Sequence, residues 1–308
     1  GKSGAHLREG LRNAVRQAAS LNQKSPYGLS FRNTVAAFYQ GIRSGTPDPR
    51  FAPASARTVM AGITEALDRL PRLPSIPARP TGTPQPRVMV IGGTGFIGRN
   101  LTRRLVEQGH DVRVLSRGRG GPFPDLADHV ETVGVSLRDE DGLTEVMTGM
   151  DCVYNLAKST DKSWEAALEN DVATTERIGR AALRAGVGRL VHTGTIASYD
   201  MSAPHQTITE ATEFGEMASR NIYARSKAEG EQRLIALSAQ GLPLVIARPG
   251  IVLGDGGPLQ HWGIGRWHGA GAVRLWGGGR NILPFVLADD VSDGLILMMT
   301  EDRALGQS

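Results

Sequence analysis

The chain has 308 residues, 40% of them hydrophobic and 21% charged, and one cysteine. This is the composition of a globular protein with an ordinary core, not of a disordered or disulfide-stapled chain. Apolar runs too short to span a bilayer, no apolar signal core near the start and a Cys152 with no internal partner lead us to expect a cytoplasmic protein with no membrane partner.

The net charge of +4 is uneven: residues 1–86 hold twelve Lys/Arg against four Asp/Glu, and residues 87–308 hold 23 against 27. The front arginines are spread along the segment, without zinc ligands or a helix-turn-helix. A solvated basic surface is therefore expected, and no nucleic-acid partner. The start at Gly1 and the end just past a helical pattern both read as cuts in a longer chain.

Leu7, Leu11, Val15, Ala18 and Leu21 predict a helix over 1–24, broken by Pro26 and Gly28. Ser30 can cap a second helix through Ile42, with Val35, Phe38 and Tyr39 on its apolar side. Gly45 to Pro49 is a loop, and a third helix is expected over 54–70. The stretch from Ser30 through Pro49 and into that helix resembles the C-terminal end of the glucose-fructose oxidoreductase and inositol dehydrogenase-like family. The resemblance implies the tail of an upstream oxidoreductase domain with no catalysis of its own; a helical cap on the following domain is the alternative. Six prolines in residues 71–86 mark an extended linker and a domain boundary.

Val88-Met89-Val90-Ile91 then runs into Gly92, Gly95 and Gly98 and an amphipathic segment. This is a buried parallel strand, a tight turn and a helix. Gly92 permits the turn, Gly95 lets the backbone approach a pyrophosphate, and Gly98 allows close helix packing. Beyond it, strands over 88–92, 111–116, 130–134, 151–156, 188–194 and 243–248 alternate with helices over 96–108, 140–148, 164–185 and 220–239. That order predicts an α/β fold with a doubly wound parallel sheet. An NAD site usually places an acid at the end of the second strand; here Arg117 and Arg119 stand there and suit a 2′-phosphate. NADP is the expected cofactor, with NAD possible.

Tyr223-Ala224-Arg225-Ser226-Lys227 puts a tyrosine and a lysine four apart on one helix face, where an ammonium can lower the phenol pKa. Upstream stands a hydroxyl-bearing strand end, Thr193 to Tyr199. With the glycine turn, Asn155-Leu156-Ala157, Asn170 to Thr174, Arg248 to Gly254 and Pro284 to Val291, these motifs resemble the extended short-chain dehydrogenase/reductases, specifically the NAD(P)-dependent epimerase/dehydratases, over residues 87–308. The resemblance implies a Rossmann sheet with a partial C-terminal substrate lobe. It implies Tyr223 as general acid/base, Lys227 on the ribose, Thr195 on the reacting oxygen, and Asn170 bracing its helix and a water network. Gly92, Gly95, Phe96, Ile97 and Gly98 would line the pyrophosphate, Ala157 the ribose and Pro249 the nicotinamide, with Leu137 also against the cofactor.

The reaction implied is epimerisation or dehydration of a nucleotide sugar by transient hydride transfer. The alternatives are an NADP(H)-dependent reductase of a non-nucleotide carbonyl or alcohol, and a non-catalytic dinucleotide-binding module. The family often has an acid after the third strand and an arginine shortly before the segment ending in Asp290; here Ser136 and Leu283 stand there, with Arg280 the nearest arginine. Closing substrate elements are expected past Ser308, and pairing of two chains through the helices of Asn170 and Tyr223. His261 and His268, beside Trp262 and Trp267, read as a substrate loop and not a metal site. Asp290 is expected to cap a helix, His192 to be a core residue, and Lys158 and Trp164 to touch either substrate or solvent.

Overall fold

The computed structural model describes residues 26–46, 83–116, 122–202, 207–258 and 282–305, two short strands between 265 and 275, and scattered residues from 48 to 65. The chain divides into two compact units, Ser75–Leu259 with Pro284–Ser308, and Gly1–Pro74 with Gln260–Leu283.

In the first unit, strands β1 (Val88–Ile91), β2 (Val112–Ser116), β3 (Val130–Gly134), β4 (Cys152–Asn155), β5 (Arg189–Thr193) and β6 (Leu244–Ala247) form one sheet in the order β3-β2-β1-β4-β5-β6. Every pairing in it is parallel, with Val88 opposite Val112 on one side and Cys152 on the other. β1 is buried along its whole length, as its unbroken apolar run requires. Its residues alternate between two cores. Val88 and Val90 join Leu101, Leu105, Val291 and Leu295 on one face. Met89 and Ile91 join Leu143, Met147, Ile178 and Leu234 on the other. Each such side chain taken fully out of water stabilises the fold by roughly 1.5–3 kcal/mol.

The helices of this unit supply those faces. They are α2 (Phe96–Glu107), α3 (Glu140–Met147), a composite α4, α5 (Ile222–Ser238) and α6 (Ala288–Thr300). α4 runs through Trp164–Ala167, a π turn Leu168–Val172 and Ala173–Ala185. Polar caps set the starts of three of them: Asp139 accepts from Gly142 N, Ser163 from Ala166 N and Asn221 from Ala224 N. A short parallel pair, β7 (Ile251–Leu253) with β10 (Phe285–Leu287), leads into α6. α6 begins at Ala288, so Asp290 lies in its first turn instead of capping it, and no side chain caps that end. Asp289 accepts a hydrogen bond from Asn100 at 2.6 Å, and Arg104 pairs with Asp293 at 2.8 Å, tying α6 to α2.

In the second unit, α1 spans Pro26–Ser44, and strands β8 (Gly265–Trp267) and β9 (Val273–Leu275) pair antiparallel. Helix α1 starts at Pro26, not at a Ser30 cap. Proline in a first turn lacks only a donor that would be orphaned there anyway, and its fixed φ suits the helix. Gly45, at φ +66°, ends it. Residues 54, 57, 58, 60–62 and 65 are helical. The helix expected over 1–24 and most of the proline linker lie outside the described residues.

Candidate active site

The turn after β1 is shaped by its glycines. Gly92 has φ +83°, and a Cβ there would lie 3.0 Å from the Leu156 carbonyl carbon and oxygen. A Cβ on Gly98 would stand 2.2 Å from Gly92 O, so α2 can begin this close to the strand only with glycine. Gly93, to which the sequence assigned no role, is excluded from a side chain by Val114 Cγ1 at 2.9 Å. Gly95 is the N-cap of α2 and no side chain caps the helix, leaving the first-turn N–H groups for an anion. Phe96 is partly buried and packs on the loop after β7, where added Cβ atoms on Gly257 and Gly254 would meet its ring at 2.5 and 3.4 Å. These donors and this absence of side chains fit a dinucleotide pyrophosphate.

The C-terminal ends of β4 and β5 converge beside that turn. Asn155 Oδ1 accepts from Ala157 N at 3.1 Å, and Asn155 Nδ2 lies 3.1 Å from His192 Nδ1. Past β5, Thr195 is buried, accepts from Ala197 N, and has its hydroxyl near enough to the Tyr223 phenol to favour the ionised form. Tyr223 sits in the first turn of α5, and Lys227 one turn later. Lys227 Nζ donates to Asp171 Oδ1 at 3.0 Å and to Ala157 O at 3.4 Å. Ser226 Oγ donates to the other Asp171 oxygen at 2.7 Å.

The π turn determines which residue faces the lysine. Ala173 N bonds to Leu168 O, five residues back, which changes the phase of α4. Asp171 is thereby buried against Lys227, while Asn170 is elsewhere. Asn170 donates to Asp161 at 3.0 Å and accepts from Arg138 Nη2 at 3.0 Å. Asn170, expected to brace its helix and a water network, thus bridges Asp161 and Arg138, and Asp171 is the residue of this helix that pairs with Lys227. The sequence holds Asp171 next door, but a π turn leaves no mark in hydrophobic periodicity.

The Tyr223 pKa also departs from expectation. Desolvation of the packed phenol raises it, the nearby Thr195 hydroxyl opposes this, and the negative charges of Asp171 and Glu231 raise it further. Lys227 was expected to lower it, but that ammonium is already paired. Tyr223 is 44% exposed, so solvent tempers the shift. Its exposed part borders a cavity of about 200 Å³ lined also by Lys158, Ser159, Asp161, Ile222 and Ser226. Ser159 hydrogen-bonds Asp161. Trp164 lies under the Arg225 guanidinium, 3.5 Å from the ring centre.

Of the other expected residues, Ile97 is partly buried against the core and Pro249 O accepts from Ile196 N at 3.3 Å. Leu137 packs on the core, with its carbonyl bonded to Arg177. Arg117, Arg119, Arg280, His261, Trp262 and His268 lie outside the described residues. Among the described residues no group of three or more His, Cys, Asp or Glu could hold a metal, and no helix is long and apolar enough to cross a membrane.

The sheet order, the glycine turn and the tyrosine–lysine helix are those of the extended short-chain dehydrogenase/reductase fold. The NAD dependent epimerase/dehydratase family model matches residues 88–308, and the chain belongs to that family. The match begins after the front segment. A 2-alkyl-3-oxoalkanoate reductase from Stenotrophomonas maltophilia is 27% identical, over 67% of this chain and 63% of its own length. A 3-beta-hydroxysteroid dehydrogenase from Mycolicibacterium neoaurum is 28% identical, over 64% of this chain and 56% of its own. Among solved structures, a double mutant of a dTDP-glucose 4,6-dehydratase from Streptomyces venezuelae with NAD bound superposes with a TM-score of 0.58 at 26% identity, covering 72% of this chain and 73% of that one. The chain thus spans between about half and two thirds of the curated relatives it matches.

Proposed function

We propose that this chain carries the catalytic residues of an NAD(P)-dependent oxidoreductase acting on an alcohol or carbonyl carbon. The observation that supports it most is Tyr223 on the wall of a cavity, with the buried Thr195 hydroxyl near its phenol and Lys227 one turn further along bonded to Ala157 O, at the open ends of β4 and β5. Bound over the glycine turn, a nicotinamide dinucleotide would supply or accept the hydride. Tyr223 would give a proton to the substrate oxygen in reduction or take it in oxidation, and Thr195 would hold that same oxygen. Lys227, held by Asp171 and Ala157 O, would bind the ribose.

For the substrate we favour a non-nucleotide carbonyl or alcohol. Leu283 stands where a nucleotide-sugar enzyme often has an arginine for the diphosphate, and the reductase and the steroid dehydrogenase above act on such substrates by name. A nucleotide sugar, with epimerisation or dehydration, is the second reading, supported by the likeness to the dTDP-glucose dehydratase. Arg117 and Arg119 support NADP(H), whereas the family description supports NAD(H). Pairing through α4 and α5 would double the mass seen by light scattering.

The test is turnover of 3-oxo acids, ketosteroids and nucleotide sugars with NADPH and NADH by the chain and its Tyr223→Phe variant. Removing the acid/base should cost about 10²–10⁴-fold in rate, with cofactor binding retained. Unchanged turnover in the variant would overturn the catalytic reading. An Arg117→Ala variant that binds NADPH as well as the parent would overturn the NADP preference.

A further inference from the structure

We propose that Asp171 is a positioning residue for this reaction: by pairing with Lys227 it cancels the lysine's charge beside Tyr223 and keeps the phenol in its protonated form, which fits the site to carbonyl reduction. This rests on the function proposed above and adds a preferred direction to it.

The geometry is specific. The Lys227 and Asp171 side chains are 4% and 5% exposed and lie 3.0 Å apart, so their charges meet with little screening. Asp171 is held on both oxygens, by Lys227 Nζ and by Ser226 Oγ. Ser226 Oγ also contacts Tyr223 O at 3.1 Å, which ties the carboxylate to the turn carrying the phenol. A carboxylate at this spot comes from the π turn and from the residue type, and an asparagine there would leave the lysine's charge uncancelled.

The other charged groups around Tyr223 do not restore a net positive field. On its own helix are Lys227, already paired, Arg225, whose guanidinium is turned onto the Trp164 ring, and Glu231, which adds a negative charge. From β5 comes His192, fully buried and held neutral by desolvation, with its pKa at about 3. Arg248, after β6, pairs with Glu231 at 2.6 Å. The loop after β4 contributes Lys158 and Asp161, one of each sign, to the cavity wall. The upward push on the Tyr223 phenol agrees with this balance.

The consequence is directional. Reduction forms a C–H bond with the nicotinamide hydride and an O–H bond with the phenol proton; the cofactor leaves oxidised, and solvent reprotonates Tyr223. Oxidation instead requires the phenolate. A phenol held protonated across neutral pH serves the first and slows the second.

The test follows the Tyr223 ionisation directly, by ultraviolet tyrosinate absorbance of the chain minus that of Tyr223→Phe. It compares Asp171→Asn with Asp171→Glu, which keeps the charge. Removing a like charge at this range should lower the Tyr223 pKa by about 1–3 units. The pH limb of alcohol oxidation should move down by the same amount, and Asp171→Glu should stay near the parent. If Asp171→Asn titrates like the parent, the inference fails even where Tyr223→Phe abolishes turnover. If Asp171→Glu shifts as far as Asp171→Asn, packing and not charge is at work, and the inference again fails. Should Asp171→Asn not fold, Ser226→Ala substitutes for it: freeing one Asp171 oxygen must raise the Tyr223 pKa, and an unchanged value overturns the inference. Tyrosinate shifts as expected with turnover unaffected in Tyr223→Phe would remove the catalytic reading on which the inference rests.

Discussion

Glu231 and Arg248 form a buried ion pair at 2.6 Å, their side chains 0% and 5% exposed. Ser198 Oγ donates to the second Glu231 oxygen at 2.7 Å, and Arg248 Nη1 donates to Tyr199 OH at 2.9 Å. A Cβ on Gly194 would lie 2.2 Å from Glu231 Oε1, so the pair is packed directly against the strand end that delivers Thr195. Desolvation pushes the Glu231 pKa up, and Arg248 and Ser198 hold it down. Removing one partner strands a buried charge, which costs about 3–5 kcal/mol, whereas replacing both by apolar groups of similar volume is often near neutral. Urea unfolding should therefore show Glu231→Leu far less stable than the Glu231→Leu/Arg248→Met double variant. Additive losses would show that the pair is not coupled.

Gly98→Ala should disable the dinucleotide turn. The added methyl meets Gly92 O, a backbone atom, at 2.2 Å, and so the strand-to-helix junction has to open. Gly95→Ala meets the same oxygen at 3.2 Å and needs a shift of only a few tenths of an ångström. In nicotinamide fluorescence titrations, Gly98→Ala should therefore lose at least about tenfold in affinity, equal to about 1.4 kcal/mol. Affinity equal to the parent would mean that the turn tolerates what this geometry forbids.

Neighbours on one helix should separate in their effects. Asn170 joins Asp161, in the cavity wall, to Arg138, in the loop after β3, and its side chain hydrogen-bonds neither Tyr223 nor Lys227. Asn170→Ala should accordingly raise KM for substrate through a loosened wall and leave the Tyr223 pKa where it was. A shift in that pKa comparable to the one expected of Asp171→Asn would contradict the division of roles set by the π turn.

These cases show what could be read from residues alone. The six parallel strands were legible because each is a short apolar run between helical patterns, and their observed ends differ from expectation by about one residue. The glycine turn and the helix that carries both Tyr223 and Lys227 were legible because the residue spacing itself implies them, whereas Thr195 was singled out through the family resemblance. Asp171 was not, since a five-residue hydrogen bond inside an otherwise regular helix changes the phase without changing the pattern. The Glu231–Arg248 pair was hidden for another reason: seventeen residues separate its members, and only the packing of α5 on the sheet brings them together. Gly93 was hidden because its constraint is a neighbouring strand's Val114, not a ligand.

His192 should give the protein an acid-side stability slope. Asn155 Oδ1 accepts from Ala157 N, which leaves Asn155 Nδ2 to donate to His192 Nδ1 at 3.1 Å and fixes the neutral imidazole with its proton on Nε2. Protonation would set an N–H against the amide N–H and place a charge in a fully buried site beside Lys227 and Arg248. Desolvation first, then those two cations, lowers the His192 pKa from 6.5 to about 3. A base with a depressed folded-state pKa stabilises the fold fully above its unfolded value. That contribution is lost as pH falls from 6.5 towards 3, at about 1.4 kcal/mol per pH unit. Denaturant unfolding of the chain and of His192→Gln between those limits isolates the effect, because other titrating groups are common to both. The parent should lose stability faster than the variant across the window, by that slope. Parallel curves would show that His192 takes up its proton in the folded state as readily as in the unfolded one.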